Sequence, residues 1–243
     1  MGKLYIVATP IGNLEDITFR ALRILKEADL ILCEDTRVTR KLLEHYNIKT
    51  PTLSYHQHSG EFKSDKVLSQ LSQGKSVALV TDAGTPGISD PGGKLVEAAV
   101  AAGINVVAIP GPSALAAAVS ISGIPMDKFL FLGFLPHKKG RQTLLTKIVE
   151  SEYPVVLYES VHRINKLLNE LSQLPPKSAK GDLPLAWADP PLAGSPLSQI
   201  IIARELTKKF ETVYRGTVEE VKNQLKPEET KGEFVVIINA NTL

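Results

Sequence analysis

The stretch "SVALVTDAGTPGISDPGGKLVEAA", Ser76 to Ala99, decides how this chain is built. A short apolar run, Val77 to Val80, stops at Thr81 and Asp82. Ala83 to Gly93 then places four glycines and two prolines in eleven residues, and an amphipathic pattern resumes behind them. An apolar run of this length between turn residues reads as a buried strand, and the pattern after Gly93 as a helix. The twelve residues between, Thr81 to Gly92, exceed what a strand-to-helix turn needs, so the loop reads as part of a binding wall.

The same strand–loop–helix order recurs on both sides. "LYIVA" (Leu4 to Ala8), "LILCE" (Leu30 to Glu34) and "NVVAI" (Asn105 to Ile109) have the strand pattern. Ile17, Ala21, Leu22, Ile24, Leu25 and Ala28 mark one helical face, with Asp16 as its expected cap. Further helices are expected over Lys66–Leu71, Gly93–Ala102 and Ser113–Ile121, with Gly103 as a stop signal. Strands alternating with helices predict a mostly parallel α/β domain over residues 1–122.

The pattern changes near Ile124. "FLFLGFLP" (Phe129 to Pro136), "PVVLYE" (Pro154 to Glu159), "SQIIIARELT" (Ser198 to Thr207) and "GEFVVIINA" (Gly232 to Ala240) read as strands, with a helix from His162 to Leu174. A second, α+β domain is therefore expected over 123–243. The segment 175–196 holds six prolines and has no period, so it reads as a loop.

Composition is that of an ordinary globular protein: 243 residues, 43% hydrophobic, 22% charged, net charge +2. No apolar run is long enough to span a bilayer, and the start of the chain lacks a signal-peptide pattern, so no membrane partner is expected. The single cysteine, Cys33, sits in an apolar run and reads as a buried structural thiol, which fits a reducing cytoplasm.

In open α/β sheets, ligands bind outside the carboxyl ends of the strands. Those ends are "ATPIGN" (Ala8 to Asn13), "EDTR" (Glu34 to Arg37), "TDAGTPGISDPG" (Thr81 to Gly92) and "PGPSA" (Pro110 to Ala114). None is a P-loop or a G-x-G-x-x-G fingerprint, which disfavours a phosphate-gripping NTPase and a nicotinamide oxidoreductase. Leu115 breaks a G-x-S-x-G elbow at Ser113. Glycine-rich loops with few cations suit a ligand held by backbone groups, with adenine-like and amino-acid-like parts. S-adenosylmethionine is such a ligand.

Seven ordered motifs carry a resemblance over almost the whole chain: "VATPIGNLEDIT", "LCEDTRVTRKLL", "LVTDAGTPGISDPG", "PGPSAL", "GFLPHKKGR", "YESVHR" and "ARELTKKFE". In order and spacing they resemble the bacterial small-subunit ribosomal RNA 2′-O-ribose methyltransferases of the tetrapyrrole methylase superfamily. The resemblance implies a two-domain tetrapyrrole-methylase-like α/β fold with S-adenosylmethionine in the cleft between the domains, no metal, and a homodimer. It also implies 16S rRNA in the 30S subunit as partner, with a cytidine of the decoding region as target. Carried over by position, the donor contacts become Pro10, Gly84, Thr85, Pro86, Ile88, Ser113 and Ala114, and more loosely Glu159 and Ala203. Thr85 stands where relatives usually carry Asp, and Asp82, three residues earlier, is the expected substitute.

Methyl transfer to a ribose hydroxyl needs alignment and benefits from a base. The candidate bases are Glu159, His56 and His58, with Glu34 and Asp35 at a strand end as further acids. The phosphate contacts are expected from Arg37, Arg40, Lys41, Lys138, Lys139, Arg141 and Arg163. Two other readings stay open: methylation of a corrin or porphyrin precursor, and a non-catalytic RNA-binding assembly protein.

Overall fold

The computed structural model describes residues 2–56, 61–90, 92–174 and 199–239. The chain divides into two compact units between Ala116 and Ala117, inside helix α5 (Ala114–Ser120) and a few residues ahead of the boundary expected between 122 and 123. The 175–196 loop lies outside the described residues.

The first unit holds β1 (Lys3–Val7), α1 (Phe19–Glu27), β2 (Leu30–Cys33), α2 (Thr36–His45), β3 (Thr52–Ser54), α3 (Glu61–Ser72), β4 (Val77–Leu79), α4 (Gly93–Ala101) and β5 (Asn105–Ile109). The strands form one sheet in the order β3-β2-β4-β1-β5, and every pairing is parallel. Alternate residues of each strand enter opposite cores, as the period of two requires. Ile31, Cys33, Ala78 and Val80 pack with Ala21, Ile24 and Leu25 of α1 and Leu43 of α2. Leu32, Val77 and Leu79 pack with Val67 and Leu71 of α3 and Leu95 and Ala99 of α4. The sheet is therefore wound on both faces. α1 leaves β1 on one face and α4 leaves β4 on the other, although β1 and β4 are neighbours. That makes the β1/β4 seam the topological switch point.

Three local readings change. The helix expected from Asp16 starts at Phe19: Thr18 is the cap and accepts from the Ala21 N–H, while Asp16 lies in a short 3₁₀ turn. The "EDTR" turn opens a ten-residue helix, α2, whose cap is Asp35. The unexpected β3 is only three residues long and sits at the sheet edge.

The second unit holds β6 (Leu130–Phe134), α6 (Arg141–Val149), β7 (Val155–Ser160), α7 (Ile164–Ser172), β8 (Gln199–Arg204), β9 (Thr212–Gly216), α8 (Val218–Gln224) and β10 (Glu233–Asn239). Its sheet runs β6-β7-β10-β8-β9; β6 and β7 are parallel and the other pairings antiparallel. Val155 and Leu157, Ile200 and Ile202, and Phe234, Val236 and Ile238 face a core closed by Leu145 and Ile148 of α6, Leu167 and Leu168 of α7, and Val221 of α8. Glu159 continues the Val155–Leu157 alternation, so the pleat sends its side chain to that helix-covered face. α6, β9 and α8 were not apparent in the sequence.

Candidate functional site

At the switch point the chain ties its own loops together. The Thr9 N–H donates to the Gly84 carbonyl at 2.9 Å, and the Gly84 N–H to the Thr9 carbonyl at 3.0 Å. The Thr9 hydroxyl donates to the Thr81 carbonyl at 3.2 Å. Gly84 has φ of +83°, where a Cβ is unfavourable, and an added Cβ would reach Ile11 Cγ2 at 3.4 Å and the Pro112 carbonyl at 3.8 Å. Gly111 serves close approach instead, since a Cβ there would stand 3.0 Å from that of Ala8. The Thr85 hydroxyl donates to the Pro112 carbonyl at 3.1 Å. The loops after β1, β4 and β5 thus form one braced crevice of backbone.

Around this crevice lie the expected donor contacts of the first unit. Pro10, Gly84 and Pro86 are buried, and Thr85, Ile88, Ser113 and Ala114 half-buried. The Ser113 hydroxyl accepts from the Ala116 N–H at 3.5 Å, at the start of α5. Asp82, the carboxylate near the Thr85 position, is exposed and accepts from the Asp35 N–H at 3.0 Å, bracing the loop after β2.

The same end of the sheet is acidic. Burial, then the charge of Glu34, pushes the half-buried Asp90 carboxyl up to about 6, against a lowering hydrogen bond from Thr81. Burial and the Asp82 charge push Glu34 up, with His56 pulling it down. Asp35 goes the other way, to about 2, because the Arg37 guanidinium is hydrogen-bonded to it at 2.6 Å. Sequence reading passed over Asp90; its signal was a carboxylate inside the glycine-rich loop. No group of three His, Cys, Asp or Glu among the described residues is arranged to hold a metal. Cys33 is fully buried and its thiol is pushed up chiefly by burial.

Other expected site residues land elsewhere. Arg37, Arg40 and Lys41 are exposed together on α2, whose other side buries Thr39, Leu42 and Leu43. Lys138 and Lys139 are exposed in the second unit. His56 is exposed, and His58 lies outside the described residues.

Glu159 is not placed to be a base. It is 1% exposed, its Oε1 lies 2.8 Å from Arg163 Nε and accepts from the Ser160 N–H at 2.7 Å, and its Oε2 lies 3.5 Å from Arg141 Nη2. Arg141 and Arg163 are likewise spent inside the unit rather than offered to phosphate. Arg141 is 2% exposed and donates from Nε to Glu170 at 2.8 Å; Arg163 donates to the Leu135 carbonyl at 2.8 Å. Ala203, 1% exposed, sits between β10 and β9 with its backbone paired into the sheet.

Known proteins are similar to this chain in sequence and in fold. Residues 3–222 match the family described as Tetrapyrrole (Corrin/Porphyrin) Methylases. A protein of Xylella fastidiosa named Ribosomal RNA small subunit methyltransferase I is 45% identical over 98% of this chain and 81% of its own length. The protein of that name from Thermotoga maritima is 43% identical over 98% of this chain and 99% of its own. Among solved structures, diphthine synthase superposes with a TM-score of 0.68 at 14% identity, covering 98% of this chain and 90% of that one. Uroporphyrin-III C-methyl transferase from Thermus thermophilus, complexed with S-adenyl homocysteine, superposes with a TM-score of 0.60 at 20% identity, covering 97% of each. The doubly wound first unit, its braced switch-point crevice and this whole-length likeness place the chain in the tetrapyrrole methylase family, among the ribosomal RNA small subunit methyltransferases I.

Proposed function

We propose that this chain transfers a methyl group from S-adenosylmethionine to the 2′-hydroxyl of a cytidine in the decoding region of 16S rRNA, acting on the 30S subunit as a cytoplasmic homodimer. One observation carries the substrate class: 43–45% identity over almost the whole chain to proteins named for methylation of small-subunit ribosomal RNA. The reducing compartment is supported by the lone buried cysteine. The ribose position, the nucleotide and the dimer rest on the motif resemblance.

The crevice fits the donor on its own chemistry. Backbone at Pro10, Gly84, Thr85, Pro86 and Ile88, with Ser113 and Ala114 beside it, would hold the adenosine and amino-acid parts. A side chain at Gly84 would intrude there. Bound there, S-adenosylmethionine supplies an activated methyl on a cationic sulfonium. Glu34, Asp82 and Asp90 give this end of the sheet a negative field that favours a cation. With Glu159 withdrawn, the described residues of the first unit still offer Glu34, Asp90 and His56 as proton acceptors. Glu34 and Asp90 have carboxyls shifted toward neutrality, which suits a general base. Arg37, Arg40 and Lys41, with Lys138 and Lys139 of the second unit, would hold phosphates.

The test is transfer of labelled methyl to 30S subunits, free 16S rRNA and uroporphyrinogen in parallel. The proposal expects label in 30S subunits above both others. Label in uroporphyrinogen alone would move the chain to corrin or porphyrin chemistry, and donor binding without any transfer would leave it an assembly protein.

A further inference from the structure

The second unit links four charges in one connected group, with Glu159 and Arg141 buried and Arg163 and Glu170 half-buried. Glu159 stands at its centre, bonded to Arg163 at 2.8 Å and facing Arg141 at 3.5 Å; Arg141 in turn binds Glu170 at 2.8 Å. Glu159 Oε2 and Arg141 Nη2 are fully buried and have no hydrogen-bond partner, so at that point each depends on the other's charge. An ion pair of this kind is weak evidence for stability, because desolvation offsets most of the attraction. What it fixes is geometry.

The two guanidiniums have a second task in common. Arg163 Nη1 donates to the Leu135 carbonyl at 2.8 Å, and Arg141 Nη1 donates to the Pro136 carbonyl at 3.3 Å. The Arg141 N–H also donates to the Lys138 carbonyl at 3.2 Å. Every one of these acceptors belongs to the loop between β6 and α6. That loop carries His137, Lys138 and Lys139, all exposed. One buried carboxylate therefore orients two arginine forks, and the forks hold consecutive carbonyls at the root of a basic loop. A planar fork fixes direction in a way that a lysine does not.

We propose that Glu159 is a positioning residue for RNA capture: through Arg141 and Arg163 it sets the Leu135–Pro136 turn and so the direction in which Lys138 and Lys139 meet phosphate. The inference rests on the reading of ribosomal RNA as substrate.

A double-mutant cycle on the full chain tests it, with 30S subunits as the probe. The arms are Lys138→Ala/Lys139→Ala, Glu159→Gln, and all three changes together. The lysine pair is expected to raise KM for subunits at least about tenfold and to reduce the salt slope of binding by about 1.4–1.8, at 0.7–0.9 per phosphate lost. Glu159→Gln is expected to raise the same KM at least about fivefold and lower the same slope, with kcat and donor Kd within about twofold of wild type. The triple variant is expected to lie within about twofold of the worse arm, since both arms remove one interaction. A wild-type KM and slope in Glu159→Gln, or effects that multiply in the triple variant, would overturn the positioning role. A lysine pair without effect on subunit binding would instead overturn the loop as an RNA contact, and the inference with it. Should Glu159→Gln fail to bind donor, the cycle is run with Arg163→Lys, which keeps the charge beside Glu159 but loses the fork onto Leu135. The same non-additivity is expected there with a smaller rise in KM, and its absence would overturn the role.

Discussion

In the first unit, Glu34, Asp82 and Asp90 lie within electrostatic reach of one another, and burial together with their mutual repulsion pushes the Glu34 and Asp90 carboxyls up. In the second unit, Glu159 and Glu170 are as deep or deeper, yet each lies against an arginine at 2.8 Å. The contrast separates burial from availability. An acid without compensation is poised to take a proton or attract a cation; an acid held by a guanidinium is a structural anchor. Ranking candidate bases by strand-end position alone put Glu159 first, and the ion pairs reverse that order.

The largest effect is expected where compensation is removed. Glu159→Ala leaves Arg141 Nη2 buried without a carboxylate, since Glu170 engages only the Nε side, and should lower the unfolding free energy by about 3–5 kcal/mol in a denaturant titration. A loss under about 1 kcal/mol, typical of exposed pairs, would make the second-unit network as dispensable as a surface one.

Gly84→Val attacks the other region. It places a β-branched side chain at positive φ beside Ile11 and Pro112, in backbone expected to touch the donor. Calorimetry should show donor affinity weakened at least about tenfold, about 1.4 kcal/mol. Unchanged affinity in a folded variant would remove the switch-point crevice as the donor site.

Neutralising Arg37, Arg40 and Lys41 together should flatten the salt dependence of subunit binding by about 2–3, at 0.7–0.9 per phosphate, while donor affinity holds. A wild-type slope would leave those residues as ordinary surface charge on α2.

Asp90→Asn should produce the smallest change, with an informative sign. The folded-state value of about 6 lies above the ordinary 3.8, so protonation favours the folded chain. That contribution is fully present below pH of about 4 and is lost as pH rises through about 6. The asparagine variant should therefore match wild type at pH of about 3.5 and exceed it by on the order of 1 kcal/mol at pH of about 8, once solvent screening is allowed for. Thermal melts across that range read the difference directly. A variant less stable than wild type at the higher pH would mean that Asp90 is compensated after all.

Much of the first unit was legible because each strand of a two-sided sheet is a short apolar run and each crossover helix carries its own stripe. The four strand-end loops were legible for the same reason. What was lost was lost to reading charge by composition instead of by period. Arg37, Arg40 and Lys41 stand exposed, but the buried Thr39, Leu42 and Leu43 make their segment the body of α2, a helix that the charges hid. "HKKGR" looked uniformly basic, but Arg141 lies four and seven residues before Leu145 and Ile148, on the buried face of α6. Glu159 follows Val155 and Leu157 at the strand period, so its inward direction was written in "VVLYE". Its distant partner was not, because Arg141 meets it only through the packing of α6 against the sheet. β3 carries too few residues to show an alternation.

The most direct test is nucleoside analysis of 16S rRNA from 30S subunits incubated with the chain and isotopically labelled S-adenosylmethionine. Complete nuclease digestion and mass spectrometry should find the label in a single nucleoside, cytidine carrying the methyl on its ribose 2′-oxygen. Label on a base, or a digest with no labelled nucleoside from a preparation that binds donor, would contradict the account.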